Sequence, residues 1–381
     1  MMTSQGRENI NTLTGLRGFA ALWVVIFHTC FGEPNGYLPG FYEKIQWGLG
    51  RNIIIQGVYA VDFFFVLSGF ILTYVHRHEF ERMLTLHGVI NFLALRLARI
   101  YPLHLVIACL LIAANGLGIW NQKVISYGDV VRNVTLTNLW VDPSLNTPAW
   151  SVSAEWIAYL GFPIIMKFLI PVKRSGFQFL FILLLVTVYP LSIIHNHWQW
   201  EWHFGWVAVA RVLNGFILGC VMFYVQENCD MLKDPLRSSR WCLALLLVFI
   251  SFLVLGVPII FLYPLIPFLI VTLANSQMGI AQVFANRAAV FLGTISFGIY
   301  MVHYPMLEIV RYAFDNYYSG MNPELNQPIL WLHLFGILIS VIAIASLCYF
   351  WIEKPGREYL KRKLCIGRKR SHELMLQNVN V

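Results

Sequence analysis

The sequence predicts an all-α, polytopic membrane protein with about ten transmembrane helices and both termini in the cytoplasm. Three observations predict it: an apolar composition, a succession of runs long enough to span a bilayer, and basic residues gathered on one side. Of 381 residues, 58% are hydrophobic and only 12% are charged, about half the charged share of a soluble globular chain. Aromatic residues reach 15%, with 13 tryptophans, which suits two water–lipid interfaces.

A helix crosses the roughly 30 Å hydrocarbon core with about 20 apolar residues. The runs that qualify are 13–32, 53–75, 100–120, 155–171, 176–195, 204–226, 241–256, 258–274, 288–312 and 328–352. Pro258, Pro264 and Pro267 allow the seventh and eighth to be one broken helix or two short ones. With the N-terminus inside, the inner segments hold nineteen Lys and Arg, whereas the outer ones hold four: Lys44, Arg51, Lys123 and Arg132. That bias orients the chain and favours an even number of crossings. The first run contains His28, lacks a small-x-small cleavage site and precedes many others, so it reads as a retained helix. Residues 9–358 form one membrane domain, because no stretch could build a separate soluble core. Residues 359–381 read as a polybasic cytoplasmic tail drawn to anionic lipid.

The net charge of +8 does not indicate nucleic acid, because the basic residues form no stripe interleaved with aromatics. Seven scattered cysteines without a CxxC pair suggest neither a disulfide framework nor a metal site.

Ionisable residues inside spans are costly and mark functional paths. Arg17 and His28 share the first run. Eleven residues at about 100° each return to within about 20° of the same helix face, about 16 Å further along. Snorkelling of Arg17 to headgroups would also account for it. Asp62, entering the second span from outside, falls at a depth similar to His28 and is a candidate to orient the imidazole. Pairing with another helix would explain Asp62 equally well. Ser68-Gly69 permits close helix packing. Arg96 and Arg99, at i and i+3 before Tyr101-Pro102, suit a phosphate-rich ligand through bidentate guanidinium bonds. Positive-inside topology would place arginines there too. Glu155 could meet a substrate hydroxyl or His28, or complement a helix N-terminus. The segment 195–203 reads as an aromatic interface belt, and His303 as an ambiguous core histidine.

Taken in order, these segments resemble acyltransferase family 3. The resemblance rests on Leu13-Thr14-Gly15-Leu16-Arg17-Gly18 with His28, on Asp62-Phe63-Phe64-Phe65-Val66-Leu67-Ser68-Gly69, and on Arg96-x-x-Arg99-Ile100-Tyr101-Pro102. It continues in Trp150-Ser151-Val152-Ser153-Ala154-Glu155, in Ile295-Ser296-Phe297-Gly298-Ile299-Tyr300 with His303, and in Ile352-Glu353-Lys354-Pro355. Ala154 stands where the family often has Val, and Phe297 where Tyr is frequent. Family members use ten core helices, and some add an outer esterase domain, which is not expected here.

The resemblance implies a membrane-bound O-acyltransferase of a bacterial inner membrane. It would move an acyl group, usually acetyl from acetyl-CoA, to a hydroxyl of an envelope or secreted glycan or lipid-linked saccharide. Arg17 with His28, and Arg96 with Arg99, are then the functional signature. In that scheme Arg96, Arg99 and Tyr101 belong to the CoA site, and Arg17 guides the thioester. His28 acts as a general base or as an acyl carrier, with Asp62 and Glu155 orienting it or the acceptor. The competing class is a transporter or flippase, which intramembrane charges and Pro-broken helices would also serve.

Overall fold

The computed structural model describes residues 4–31, 49–82, 85–117, 125–140, 144–169, 204–229, 238–276, 279–317 and 327–364, with isolated positions between 178 and 185 and at 236. All regular structure among them is helical. The chain runs through α1 (Ser4–Phe31), α2 (Leu49–Ile55), α3 (Ala60–Arg82), α4 (Leu86–Gly116), α5 (Tyr127–Val134), α6 (Ala149–Leu169) and α7 (Gly205–Asn228). It continues through α8 (Ser239–Leu255), α9 (Ile259–Leu262), α10 (Leu265–Asn275), α11 (Ile280–Ala285), α12 (Arg287–Thr294), α13 (Ser296–Tyr317), α14 (Gln327–Cys348) and α15 (Lys354–Leu364).

Among the described residues, six stretches are long and apolar enough to cross a membrane: Asn11–Phe31, Gly50–Phe80, Leu86–Gly116, Ala149–Leu169, Gly205–Asn228 and Trp331–Leu364. A seventh is a bent pair, α12 with α13, broken by 62° at Ile295. The protein is therefore a multi-pass membrane protein, with all regular structure among the described residues helical. The ambiguous 241–274 region resolves into shorter apolar helices, Ser239–Leu255 and Ile259–Asn275. Gly256 ends α8 in the left-handed region at φ 67°, a conformation that disfavours side chains. The expected span 176–195 lies largely outside the described residues, and the segment 195–203 and the chain beyond 364 lie wholly outside them. The expected start of the tail, at 359, falls within α15.

The third span begins earlier than its apolar run suggests. Thr85 caps α4 by accepting from the Gly88 amide at 3.1 Å, so the helix is already formed when it reaches Arg96 and Arg99. These arginines sit inside the helix and not at its mouth, because both face a polar cavity in the bundle.

α1 is a central helix, packed against α3, α11, α12 and α13. Glycines make the closest approaches possible. A Cβ on Gly15 would lie 1.9 Å from the Phe284 carbonyl oxygen, and one on Gly293 would lie 1.7 Å from that of Thr14. α3 and α7 cross through a reciprocal pair. A Cβ on Gly69 would meet the Phe216 carbonyl oxygen at 1.9 Å, and one on Gly219 that of Val66 at 2.0 Å. Small residues at such crossings let backbones make the contacts that hold membrane helices together. Gly69→Leu should therefore push the two helices apart and destabilise the fold by about 3 kcal/mol, the upper end of ordinary overpacking. The check is a lower melting temperature of detergent-purified protein, with Gly50→Leu, where a Cβ meets nothing within 4 Å, as the harmless control.

α14 does not run directly into α15. Residues Tyr349–Glu353 form a π turn between them. Pro355 has no amide proton, and its ring would press on the carbonyl one α-helical turn back, which a widened turn relieves.

Candidate active site

Where α1, α3, α4, α6 and α13 meet, a cavity of about 70 Å³ is lined by Arg17, Ser68, Arg96, Arg99, Glu155, Tyr159 and Tyr300, among others. At about 10–15 Å³ per water, it holds roughly five water molecules. That is room for the reacting end of a substrate and far too little for a nucleotide. Each polar side chain is placed by helix periodicity. Arg96 and Arg99 lie one turn apart on α4, and Glu155 and Tyr159 one turn apart on α6.

The cavity's charges do not balance. Among the described residues, three guanidinium groups face it with the single carboxylate of Glu155. Glu155 is held in place: its Oε1 accepts from Ser68 Oγ at 2.7 Å and from the Tyr159 hydroxyl. Arg96 Nε is buried with no partner among the described residues, while its guanidinium carbon lies 5.8 Å from the Phe92 ring centre. A buried donor without a partner is rare, and here it lines a cavity with excess positive charge. The arrangement can hold an anion or a developing oxyanion.

A second cavity, of about 280 Å³, lies against the same two arginines. Its lining is Leu95, Arg96, Ala98, Arg99, Arg357, Glu358 and Lys361. Arg96 and Arg99 are thus shared by the two cavities.

His28 does not line either cavity. Its Nδ1 lies 3.1 Å from the Val24 carbonyl and 3.3 Å from Nε2 of His303 on α13. A carbonyl can only accept, so the proton belongs on Nδ1 and Nε2 keeps its lone pair. His303 is fully buried, and its ring centre lies 5.8 Å from that of Tyr300. Tyr300 lines the inner cavity and its hydroxyl accepts from Ser151 Oγ at 2.8 Å. The ordered contacts therefore run from the arginine cavity through Tyr300 and His303 to His28. The shared face of α1 points into the bundle, whereas Phe19, two residues from Arg17, is 42% exposed.

Of the two readings the sequence allowed for Asp62, the structure shows the pairing with another helix. Both its oxygens accept from Arg211 of α7, at 2.8 Å from Nε and 2.6 Å from Nη2. Asp62 and Arg211 side chains are each 1% exposed, and the Arg211 guanidinium carbon lies 5.6 Å from the Trp150 ring centre. The alternative reading, pairing with another helix, describes this carboxylate. Tyr101 is half-buried and lines neither cavity. Ser68 does more than permit packing, since it binds Glu155.

Sequence reasoning passed over Arg211 and Tyr159, and gave Glu353 no role beyond its place in the Ile352-Glu353-Lys354-Pro355 segment. Arg211 was detectable as a lone cation within the apolar run 204–226, and Tyr159 as the i+4 neighbour of Glu155. Glu353 is 8% exposed, and its Oε1 has no partner among the described residues.

A family model described as an acyltransferase domain matches residues 10–350. The acyltransferase MdmB of Streptomyces mycarofaciens is 29% identical, with 92% of each chain covered. The O-acetyltransferase OatA of Staphylococcus aureus strain NCTC 8325 / PS 47 is 22% identical over 91% of this chain and 57% of its own length. A putative O-acetyltransferase of strain COL, SACOL0978, matches with the same identity and coverage. The chain thus spans just over half the length of these staphylococcal relatives. No solved structure is recognisably similar to it.

Proposed function

The chain belongs to acyltransferase family 3 and is an acyltransferase, and from that premise we propose that it carries an acyl group from cytoplasmic acyl-CoA to a glycan hydroxyl across a bacterial plasma membrane. The observation that carries this reading is the convergence of Arg17, Arg96 and Arg99 with Glu155 on one small buried cavity. A thioester carbonyl gains negative charge on its oxygen as a hydroxyl attacks. Fixed guanidinium groups in a site closed to bulk water stabilise that charge strongly. Two relatives are named O-acetyltransferases, which supports acetyl as the group moved and oxygen as the acceptor atom. The one-sided distribution of basic residues supports ten crossings with both termini inside. Arg96 and Arg99 then face the compartment that contains CoA.

In this scheme the donor lodges its phosphates against Arg96 and Arg99, and Arg17 guides the thioester arm along α1 toward His28, about 16 Å further on. Glu155, fixed by Ser68 and Tyr159, aligns the acceptor or receives its proton. His28, with His303 behind it, takes the hydroxyl proton as the acceptor oxygen attacks the thioester carbon, and CoA leaves as its thiol. Alternatively, the imidazole attacks the thioester carbon and CoA leaves as its thiol; the acceptor hydroxyl then takes the acyl group from the acyl-imidazole, gives up its proton and regenerates His28.

Inside-out membrane vesicles containing the protein should transfer label from radioactive acetyl-CoA into an alkali-labile ester on an envelope glycan. Vesicles lacking it should not. If the glycan fraction gains no label above that control, the reading is wrong. Arg96→Ala and Arg99→Ala should each raise the KM for acetyl-CoA. Each loses a charge-assisted bond of about 1.5–3 kcal/mol, roughly a ten- to hundredfold rise.

A further inference from the structure

The geometry points to α15 as part of the donor site: Arg357 and Lys361, with Arg96 and Arg99, form a cradle for the nucleotide phosphates of the acyl donor. This rests on the acyl-CoA reading above and extends it to a helix whose second half, from 359, the sequence assigned to the polybasic tail. The second cavity, at about 280 Å³, has four times the space of the inner one. It therefore suits the larger, phosphate-bearing part of a donor whose reacting end occupies the smaller cavity.

Among the described residues, four cations line this space beside one acid, Glu358. Arg357 and Lys361 are spaced i and i+4 along α15 and fall on one face. Arg96 and Arg99 present a matching i, i+3 pair from α4. The two helices touch where a Cβ on Gly356 would sit 2.7 Å from the Pro102 Cβ, an approach that brings the following residue, Arg357, beside α4. A further carboxylate, Glu353, is buried in the π turn with one oxygen unpartnered, and it lies within the fields of Arg99, Arg357 and Arg17. Cations facing a shared space at this density repel one another until an anion enters. Phosphate esters are the natural counter-charge, because guanidinium groups bind them in bidentate fashion.

Lipid headgroups carry phosphates too, so the test separates the two sources. Purified protein in neutral phosphatidylcholine discs is titrated calorimetrically with acetyl-CoA and with S-acetylpantetheine, which keeps the thioester and lacks the nucleotide. The ratio of the two Kd values measures what the nucleotide phosphates contribute. The double variant Arg357→Ala with Lys361→Ala should reduce that ratio at least tenfold, in neutral discs and in discs containing phosphatidylglycerol alike. Lys363→Ala removes a cation from the same helix that lies 5.9 Å from the Tyr359 ring and outside the cavity lining. It should leave the ratio as it is. An unchanged ratio in the double variant overturns the proposal, as does a wild type that binds both compounds equally. A change confined to phosphatidylglycerol discs overturns it too and assigns α15 to lipid. A wild type that binds no acetyl-CoA removes the acyl-CoA reading itself, and the cradle with it.

Discussion

Replacing His28 with Ala should lower acyl transfer in membrane vesicles by about 10²–10⁴-fold, the range that a general acid–base group contributes, while the protein still inserts and purifies normally. The imidazole is only partly buried, and its Nδ1 bonds to the Val24 carbonyl within its own helix. Losing it therefore costs the fold little. What disappears is a lone-pair nitrogen on the inward face of α1, backed by His303 at 3.3 Å. Glutamine at position 28 could still bond to Val24 but has no basic nitrogen, so His28→Gln should be as inactive as His28→Ala. Near-normal transfer by either variant would remove His28 from the mechanism.

The second large effect concerns stability. Asp62→Ala should destabilise the protein by about 3–5 kcal/mol, the usual consequence of removing one member of a buried ion pair. The stranded group would be Arg211, a cation with a 1% exposed side chain and the flank of Trp150 beside it. Arg211→Met alone should cost a similar amount by leaving the carboxylate unpaired. The double replacement Asp62→Leu with Arg211→Met should recover much of the loss, because no charge then remains buried. Thermal melts of the three detergent-purified variants measure this. Additive losses in the double variant would show that the ion pair is not what ties α3 to α7.

The membrane class and most of the spans were legible because they depend on local chemistry. Twenty apolar residues leave a helix few alternatives in lipid, and the runs around 13–32, 53–75 and 204–226 reappear as Asn11–Phe31, Gly50–Phe80 and Gly205–Asn228. Arg17, Arg96, Arg99 and Glu155 were also legible, since a charge within such a run demands a reason. Partnership was not legible. Asp62 carries no mark that distinguishes an imidazole partner from a guanidinium 149 positions away, and His303 became meaningful only when α13 brought it beside His28. The extent of α4 was misjudged for a related reason. Hydropathy ends a span at its charges, whereas the helix continues wherever those charges have an interior to face.

The π turn at Tyr349–Glu353 separates two jobs that one uninterrupted helix would have to reconcile. It inserts about one extra residue into the winding, so whatever follows is rotated by roughly 100° relative to an unbroken α-helix. The apolar stripe that α14 shows to lipid and the cationic stripe that α15 shows to α4 are therefore set in different phases. Each can change its residues without turning the other away from its neighbour, and a helical wheel drawn through both in one register would point half of them in the wrong direction.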